Sequence, residues 1–433
     1  MLCAFYEKEI TPPLGGDIPG YYLHRYTEDV EDRLYARAAV FAPDSGKPEE
    51  TAAILTLDSV NMQRAVADAI KARVESFTGI PASHVAVIAN HSHYGIPHGD
   101  AVSTRDDEFM AILPRLAADA VILASKRLQP CTLTYGIGQE SRCAFVRDCV
   151  LDDGRVVTNP GRFRERVVRT YSQADPDLPV LTVWDAAGKR MGLIYSFALH
   201  QDTTGGTNYS GDFSSQVAKR LKERYGHDCA SVFVPGYCGD INHCDFVGGT
   251  SWNHRSVGDA VAETVVKVTE EASEAVKDET LAVVTETLIL QRRRATEEQL
   301  AHCRYVLEDP QARKSPYLML GTKGYQETLK YEEGLAGKSN DVACPLQVMR
   351  LGEVWFFISP YEVYHAFAEP LKQAAPTGKW LISEMANTDA SYVPTPELME
   401  TDVYPAWLCY GSWLEKDAGD KIVNKLVQMA EKL

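Results

Sequence analysis

None of the ten cysteines forms a CxxC pair. That argues against a zinc ribbon, whose thiolate ligands come in close pairs. The cysteines are scattered through 433 residues, as expected of reduced thiols in a cytoplasmic protein. No uninterrupted apolar run reaches the roughly 18 residues of a membrane-spanning helix, so no integral membrane segment is expected. The opening MLCAFYEKEITPP has no basic stretch followed by a long apolar one, and no secretory signal is read there. Internal repeats and low-complexity linkers are missing too. Positive charge is scarce: 44 Lys and Arg face 60 Asp and Glu, a formal net charge of −16. Nucleic acid is gripped by phosphate-facing cations, so so acidic a chain is not expected to bind it. Oligomeric state leaves no mark on the sequence.

Apolar residues are plentiful, and their order suggests architecture. Residues 51–60 (TAAILTLDSV) read as a strand. The next stretch, ending at Gly79, places Val66, Ile70, Val74 and Phe77 on one helical stripe. HVAVIA (84–89) is a second strand. Strand, helix and strand in this order suggest a crossover unit in a largely parallel sheet. A helix over about 108–128 follows, with Pro114 in its first turn or at a kink. Later strands are expected at CTLTYGIGQE, GLIYSFALH, ASVFVP and LAVVTETLILQRR, and as a Gly-Glu hairpin in LQVMRLGEVWFFISP. Helices are expected at FSSQVAKRLKERYG and GDAVAETVVKVTEEASEAV. The whole reads as a layered α/β fold with a mixed β-sheet, a site at strand ends, and added helical and loop segments. One domain over 1–433 is the reading adopted, with 296–340 as a covering insertion; a cut near 275 is only faintly marked.

The candidate chemistry sits where apolar strands stop. His91 and His93, in NHSHYG, follow the second strand. In extended geometry both would face one side, where they could bind a metal or divide binding and proton transfer between them. An ordinary polar turn is the plainer alternative. His200 closes another apolar run and leads into a loop rich in glycine and hydroxyls, followed by a helix with Asp212 or Ser214 as its cap. PGYCGDINHCD contains Asp240, His243, Cys244 and Asp245 but matches no structural zinc spacing, and reads as a site wall. Glu362 follows a strand and Pro360. It could complete a His-His-Glu set, or merely be an acid at a helix N-terminus. Tyr392 and Tyr404 follow in SYVPTPELMETDVYPAW.

Taken in order, these segments resemble the amidohydrolase domain of the neutral, non-lysosomal ceramidase family. ITPPLG, TLDSV, ANHSHYG, FALHQDT, YSGDFSSQVAKRL, FVPGYCGDIN and SYVPTPE succeed one another as similar elements do there, from about residue 8 to about 410. The resemblance implies a zinc ion held by His91, His200, Glu362 and Tyr392. It implies catalytic roles for His93, Arg147 and Tyr404. The implied reaction is hydrolysis of a linear N-acyl amide, with zinc polarising the carbonyl and lowering the pKa of water. The substrate would be a small-molecule or lipid-like amide, and a smaller soluble one is expected. Val146, Gly236 and Tyr361 depart from the family's usual residues, and Tyr94 would add bulk near the mouth. No C-terminal immunoglobulin-like domain is read. The alternative is a non-catalytic metal- or ligand-binding protein on a decayed hydrolase scaffold.

Overall fold

Alternation of side chains along the strands gives the fold its layers. The computed structural model describes residues 1–433 except 22, 101, 315–320 and 410. Eight strands come first: β1 (Leu2–Glu9), β2 (Tyr35–Ala42), β3 (Ala52–Leu57), β4 (Val85–Ala89), β5 (Gln129–Gln139), β6 (Asp177–Asp185), β7 (Arg190–Phe197) and β8 (Ala230–Pro235). They lie in the order β8-β7-β6-β5-β1-β2-β3-β4, and a short strand, Glu274–Ala275, adds to β5. A second sheet runs β9 (Leu281–Gln291), β10 (Asp341–Leu351), β11 (Val354–Ile358) and β12 (Trp380–Ser383).

On β3, Ala53, Leu55 and Leu57 face one way, into a core with helices α1 (Arg64–Thr78) and α2 (Asp107–Ser125). Ala52 and Ile54 face the other way and meet Met349, Phe356, Ile358 and Leu381 of the second sheet. The far face of that sheet, including Val348 and Phe357, packs on Ile422, Leu426 and Met429 of the C-terminal helix Ala418–Ala430. The result is helix, sheet, sheet, helix. Residues on either side of position 275 share the core between the sheets. Each fully buried Leu, Ile or Phe there contributes about 1.5–3 kcal/mol through water exclusion.

The structure corrects several expectations. β3 and β4 are parallel, as the crossover requires, and so are β7 and β8. Every other neighbour in the first sheet is antiparallel, so the sheet is mixed rather than largely parallel. Val66, Ile70 and Val74 are buried and Gly79 caps α1 at φ 76°, a left-handed turn suited to glycine. Phe77 leaves the stripe: it is 57% exposed, with the Arg73 guanidinium over its ring at 4.3 Å. Pro114 lies inside α2, past its first turn, and Asp106 is the cap. The helix after His200 has Gly211 as its cap. Asp212 instead accepts hydrogen bonds from the backbone and hydroxyls of Thr203 and Thr204. In the segment expected to cover the cleft, helices Glu297–Glu308 and Gly321–Gly334 form, while 315–320 lie outside the described residues.

Candidate metal centre

β4 is buried along its whole length and delivers the chain to His91. The turn there is held from below. The Asp58 carboxylate accepts from Arg37 Nη1 at 2.7 Å and from Asn90 Nδ2 at 2.6 Å. Asn90 Oδ1 in turn accepts from the Ser59 and Ser92 amides. His91 has φ 71°, in the left-handed region that a non-glycine residue adopts only when its surroundings hold it there. The extended geometry expected of the two histidines is therefore wrong. The turn nevertheless brings their rings together, with centroids 4.9 Å apart.

His200 arrives from β7, three residues beyond the strand. Its ring centroid is 4.4 Å from that of His91 and 5.9 Å from that of His93. Gln201 ties the two segments: its side chain donates to the Asn90 carbonyl at 2.7 Å, and its own carbonyl accepts from the His93 amide at 2.9 Å. The three histidines are buried, with ligand atoms all within 4.8 Å of one another, a cluster that can hold a metal ion.

Glu362 completes the convergence. It lies in a two-residue strand, Glu362–Val363, paired in parallel with Tyr392–Val393, so the alternative of a helix N-terminal acid is not what forms. Tyr361 before it has φ 75°. Gly239 backs this strand so closely that a Cβ would fall 2.5 Å from the Glu362 carbonyl oxygen. PGYCGDIN is thus a wall: Cys238 O accepts from His200 Nδ1 at 2.7 Å, and Asp240 binds His365 Nδ1 at 2.7 Å.

The hydrogen bonds fix which ring nitrogens face inward. His91 Nδ1 donates to Val60 O at 2.6 Å and His200 Nδ1 to Cys238 O. Each Nε2 is thereby turned inward, the position from which an imidazole can offer a lone pair to a metal. Glu362 Oε2 lies 3.2 Å from His200 Nε2 and 3.4 Å from His91 Nε2. Burial, the neighbouring His91 and the Arg147 guanidinium push His200 down to about 3, so its imidazole is neutral at pH 7. The inward-facing Nε2 atoms of both histidines, that of His200 a neutral acceptor, and a carboxylate oxygen thus converge in a buried place. Unmediated, that arrangement is unfavourable. A cation between them resolves it, and nitrogen with carboxylate oxygen is a donor set suited to zinc.

His93 differs. Neither ring nitrogen has a hydrogen-bond partner among the described residues. Burial, with His91 and His200 beside it, pushes its pKa well below the usual value. Tyr392 lies next to Glu362 across the strand pair. Burial raises its phenol, and the Arg147 guanidinium sits 5.1 Å from its ring centroid. Tyr404 packs edge-on to Tyr392, centroids 5.2 Å apart. A cavity of about 540 Å³ opens on this cluster, with His91, His93, Glu362, Tyr392 and Tyr404 in its wall. Arg147 is not among the described lining residues. It is buried and donates to Gly239 O at 2.6 Å.

Of the noted departures, Tyr94 is 3% exposed and interior, so it adds no bulk at the mouth. Val146 pairs with Ile241 in the core, and Tyr361 packs against Trp413. A Cβ on Gly236 would come within 3.1 Å of the Phe197–Ala198 backbone.

Sequence reasoning missed Tyr21 and Glu384. Tyr21 lines the cavity with its ring edge-on to His93 at 5.4 Å and donates to Asp202. Nothing in its local sequence marks it. Glu384 directly follows the apolar strand β12, the same signal that marked Glu362. It is buried and accepts from Val363 N at 2.7 Å and from Cys238 Sγ at 3.1 Å, joining the segments that carry Glu362 and orient His200.

No protein-family model matches the chain, and no curated protein matches it. Solved structures do. A neutral ceramidase from Pseudomonas aeruginosa superposes with a TM-score of 0.75 at 18% identity, over 100% of this chain and 75% of that one. A ceramidase complexed with C2 gives a TM-score of 0.75 at 17% identity, with the same coverage. The chain has the neutral ceramidase fold. At such identities the likeness is one of fold, and the buried histidine cluster is a place in that fold where a metal ion could be held.

Proposed function

We propose that the protein is a zinc-dependent hydrolase of linear amides. His91, His200, Glu362 and Tyr392 hold the metal. The observation that carries this is the meeting of two imidazole Nε2 atoms with Glu362 Oε2 at 3.2 and 3.4 Å. When bound, zinc supplies Lewis acidity toward a carbonyl oxygen and toward water.

The chain's own residues supply the rest. His93 is neutral, buried and unpartnered at both nitrogens, so it can take up a proton and deliver it to the leaving amine. Tyr404 presents a phenol at the cavity wall and can donate to the oxyanion that forms at the attacked carbonyl. Arg147 works from behind, holding the Tyr392 ring and the Gly239 carbonyl.

Cavity size and lining favour a small soluble amide over a two-chain lipid. About 540 Å³ suits a drug-sized ligand. Its wall mixes Asn61, Gln63, Asp100, Arg292 and Lys330 with Val60, Val102, Leu335 and Trp413, so it is not apolar throughout. No helix among the described residues is long and apolar enough to cross a membrane. Screening N-acyl amines and amino acids of graded chain length against ceramide tests the reading. Hydrolysis of short soluble amides, abolished by chelation, is expected. A preference for long-chain ceramide above about tenfold in kcat/KM, or roughly 1.4 kcal/mol, would overturn the substrate class.

A further inference from the structure

Three consecutive arginines follow β9, and they have different fates. Arg293 turns inward and donates to the carbonyls of Ala406 and Ser412. Arg294 is paired with Glu332. Arg292 lines the cavity with its guanidinium 5.1 Å from the Trp413 ring centroid. Its side-chain hydrogen bond from Nη1 to Asp341 O is long at 3.4 Å, and it has no ion pair among the described residues. Lys330, on helix Gly321–Gly334, adds a second cation to the wall, tied on one side to Glu327 at 2.9 Å.

The acids on the same wall do not cancel these charges. Asp100 already accepts from the amides of Gly20, Val102 and Ser103. Glu362 belongs to the histidine cluster. Asp389 is exposed and feels the Arg292 charge through space, without an ion pair to it among the described residues. The wall is also continuous from metal centre to Arg292. Tyr392, beside Glu362, donates its amide to Gly411 O at 2.8 Å, and Trp413, two residues on, carries Arg292 over its ring. A half-buried planar guanidinium with open donors matches a carboxylate, which it can grip with two parallel hydrogen bonds.

We propose that Arg292, assisted by Lys330, forms a carboxylate subsite, and that the substrates are amides bearing a carboxylate, such as N-acyl amino acids. The proposal rests on the amide-hydrolase reading and adds the charge of the substrate. Water adds across the C–N bond, which breaks to give a free carboxylic acid and an amine. The substrate's own carboxylate is unchanged and leaves with whichever product carries it.

The test compares kcat/KM within two matched pairs. One pair is an N-acylglycine and the corresponding N-acylglycinamide, with the charge on the amine side. The other is a succinic monoamide and its methyl ester, with the charge on the acyl side. The wild type should prefer the acid by about 10- to 100-fold in at least one pair, the range of a charged hydrogen bond. Arg292→Ala should collapse that ratio, chiefly through KM. Arg292→Lys should keep part of it, and Asp389→Asn should keep or raise it. A wild-type ratio near one, or an unchanged ratio in Arg292→Ala, would overturn the subsite. So would a preference for the uncharged member that Asp389→Asn removes. If no amide is turned over, the hydrolase reading fails. Calorimetric binding of the N-acylglycine then tests the subsite alone: binding lost in Arg292→Ala supports it, and equal binding in both proteins refutes it.

Discussion

Replacing Glu362 by Gln should stabilise the metal-free protein. Without a cation, Glu362 Oε2 faces the lone pair of the neutral His200 Nε2 at 3.2 Å, with His91 Nε2 3.4 Å away. A glutamine amide in the same place can donate to one of them. Relieving one buried unsatisfied group is worth about 1–3 kcal/mol. For 433 residues, an unfolding entropy of about 2.1 cal/mol/K per residue gives roughly 0.9 kcal/mol/K. The chelated variant should therefore melt about 1–3 °C above the chelated wild type. Zinc acts the other way around. At about 1,000 times Kd it stabilises the wild type by roughly 4 kcal/mol, or about 4–5 °C, and the variant should lose most of that rise. Differential scanning calorimetry, with chelator and with zinc, reads both effects. If His200 and Glu362 instead form an imidazolium–carboxylate pair, the glutamine will cost stability. A chelated variant that melts below the chelated wild type would refute the reasoning, as would a full zinc-dependent rise in the variant.

His91→Ala should lose both metal and activity, whereas His93→Ala should keep metal and lose about 10²–10⁴ in kcat; metal analysis alongside turnover separates them, and metal loss in His93→Ala would move that residue into the ligand set. Gly239→Ala should displace Glu362, since the new Cβ lies 2.5 Å from its carbonyl oxygen; a loss of about 1–3 kcal/mol in denaturant unfolding is expected, together with weaker zinc binding. His365, beside Asp240, is buried, and that carboxylate outweighs burial to raise its pKa, while Asp240 is held below its usual range. The His365 contribution to stability is present below about pH 6.5 and lost as pH rises through the raised folded value. The Asp240 contribution is present above about pH 3.9 and lost as pH falls through its folded value. Asp240→Asn should flatten the alkaline loss in urea unfolding measured across pH, and an unchanged profile would contradict the assignment.

Much of the fold could be read because burial leaves a period in the sequence. β3, α1 and β4 were legible from apolar spacing, and so was the β10–β11 hairpin with its Gly352 turn. Strand direction was not, because an apolar run reads the same in a parallel or an antiparallel neighbour. Phe77 fits the helical stripe, yet a cation over its ring replaces core burial. The strand-end rule drew attention to His91, His93, His200 and Glu362, which the structure brings together. It could not give the left-handed turn at His91, which depends on Asp58 and Asn90 meeting across strands. Tyr21, Glu384 and Arg292 reach the site through contacts between distant segments, such as Tyr21 with Asp202, 181 residues on, and Glu384 with Cys238, 146 residues back, and such contacts leave no local pattern.

Metal content of the purified wild-type protein tests the central claim most directly. Inductively coupled plasma mass spectrometry, on protein never exposed to chelator, should find about one zinc per chain, as a mixed nitrogen and oxygen site requires. The same measurement on Glu362→Ala should find far less. Under about one-tenth equivalent of any transition metal in the wild type would contradict a resident metal centre of this donor set.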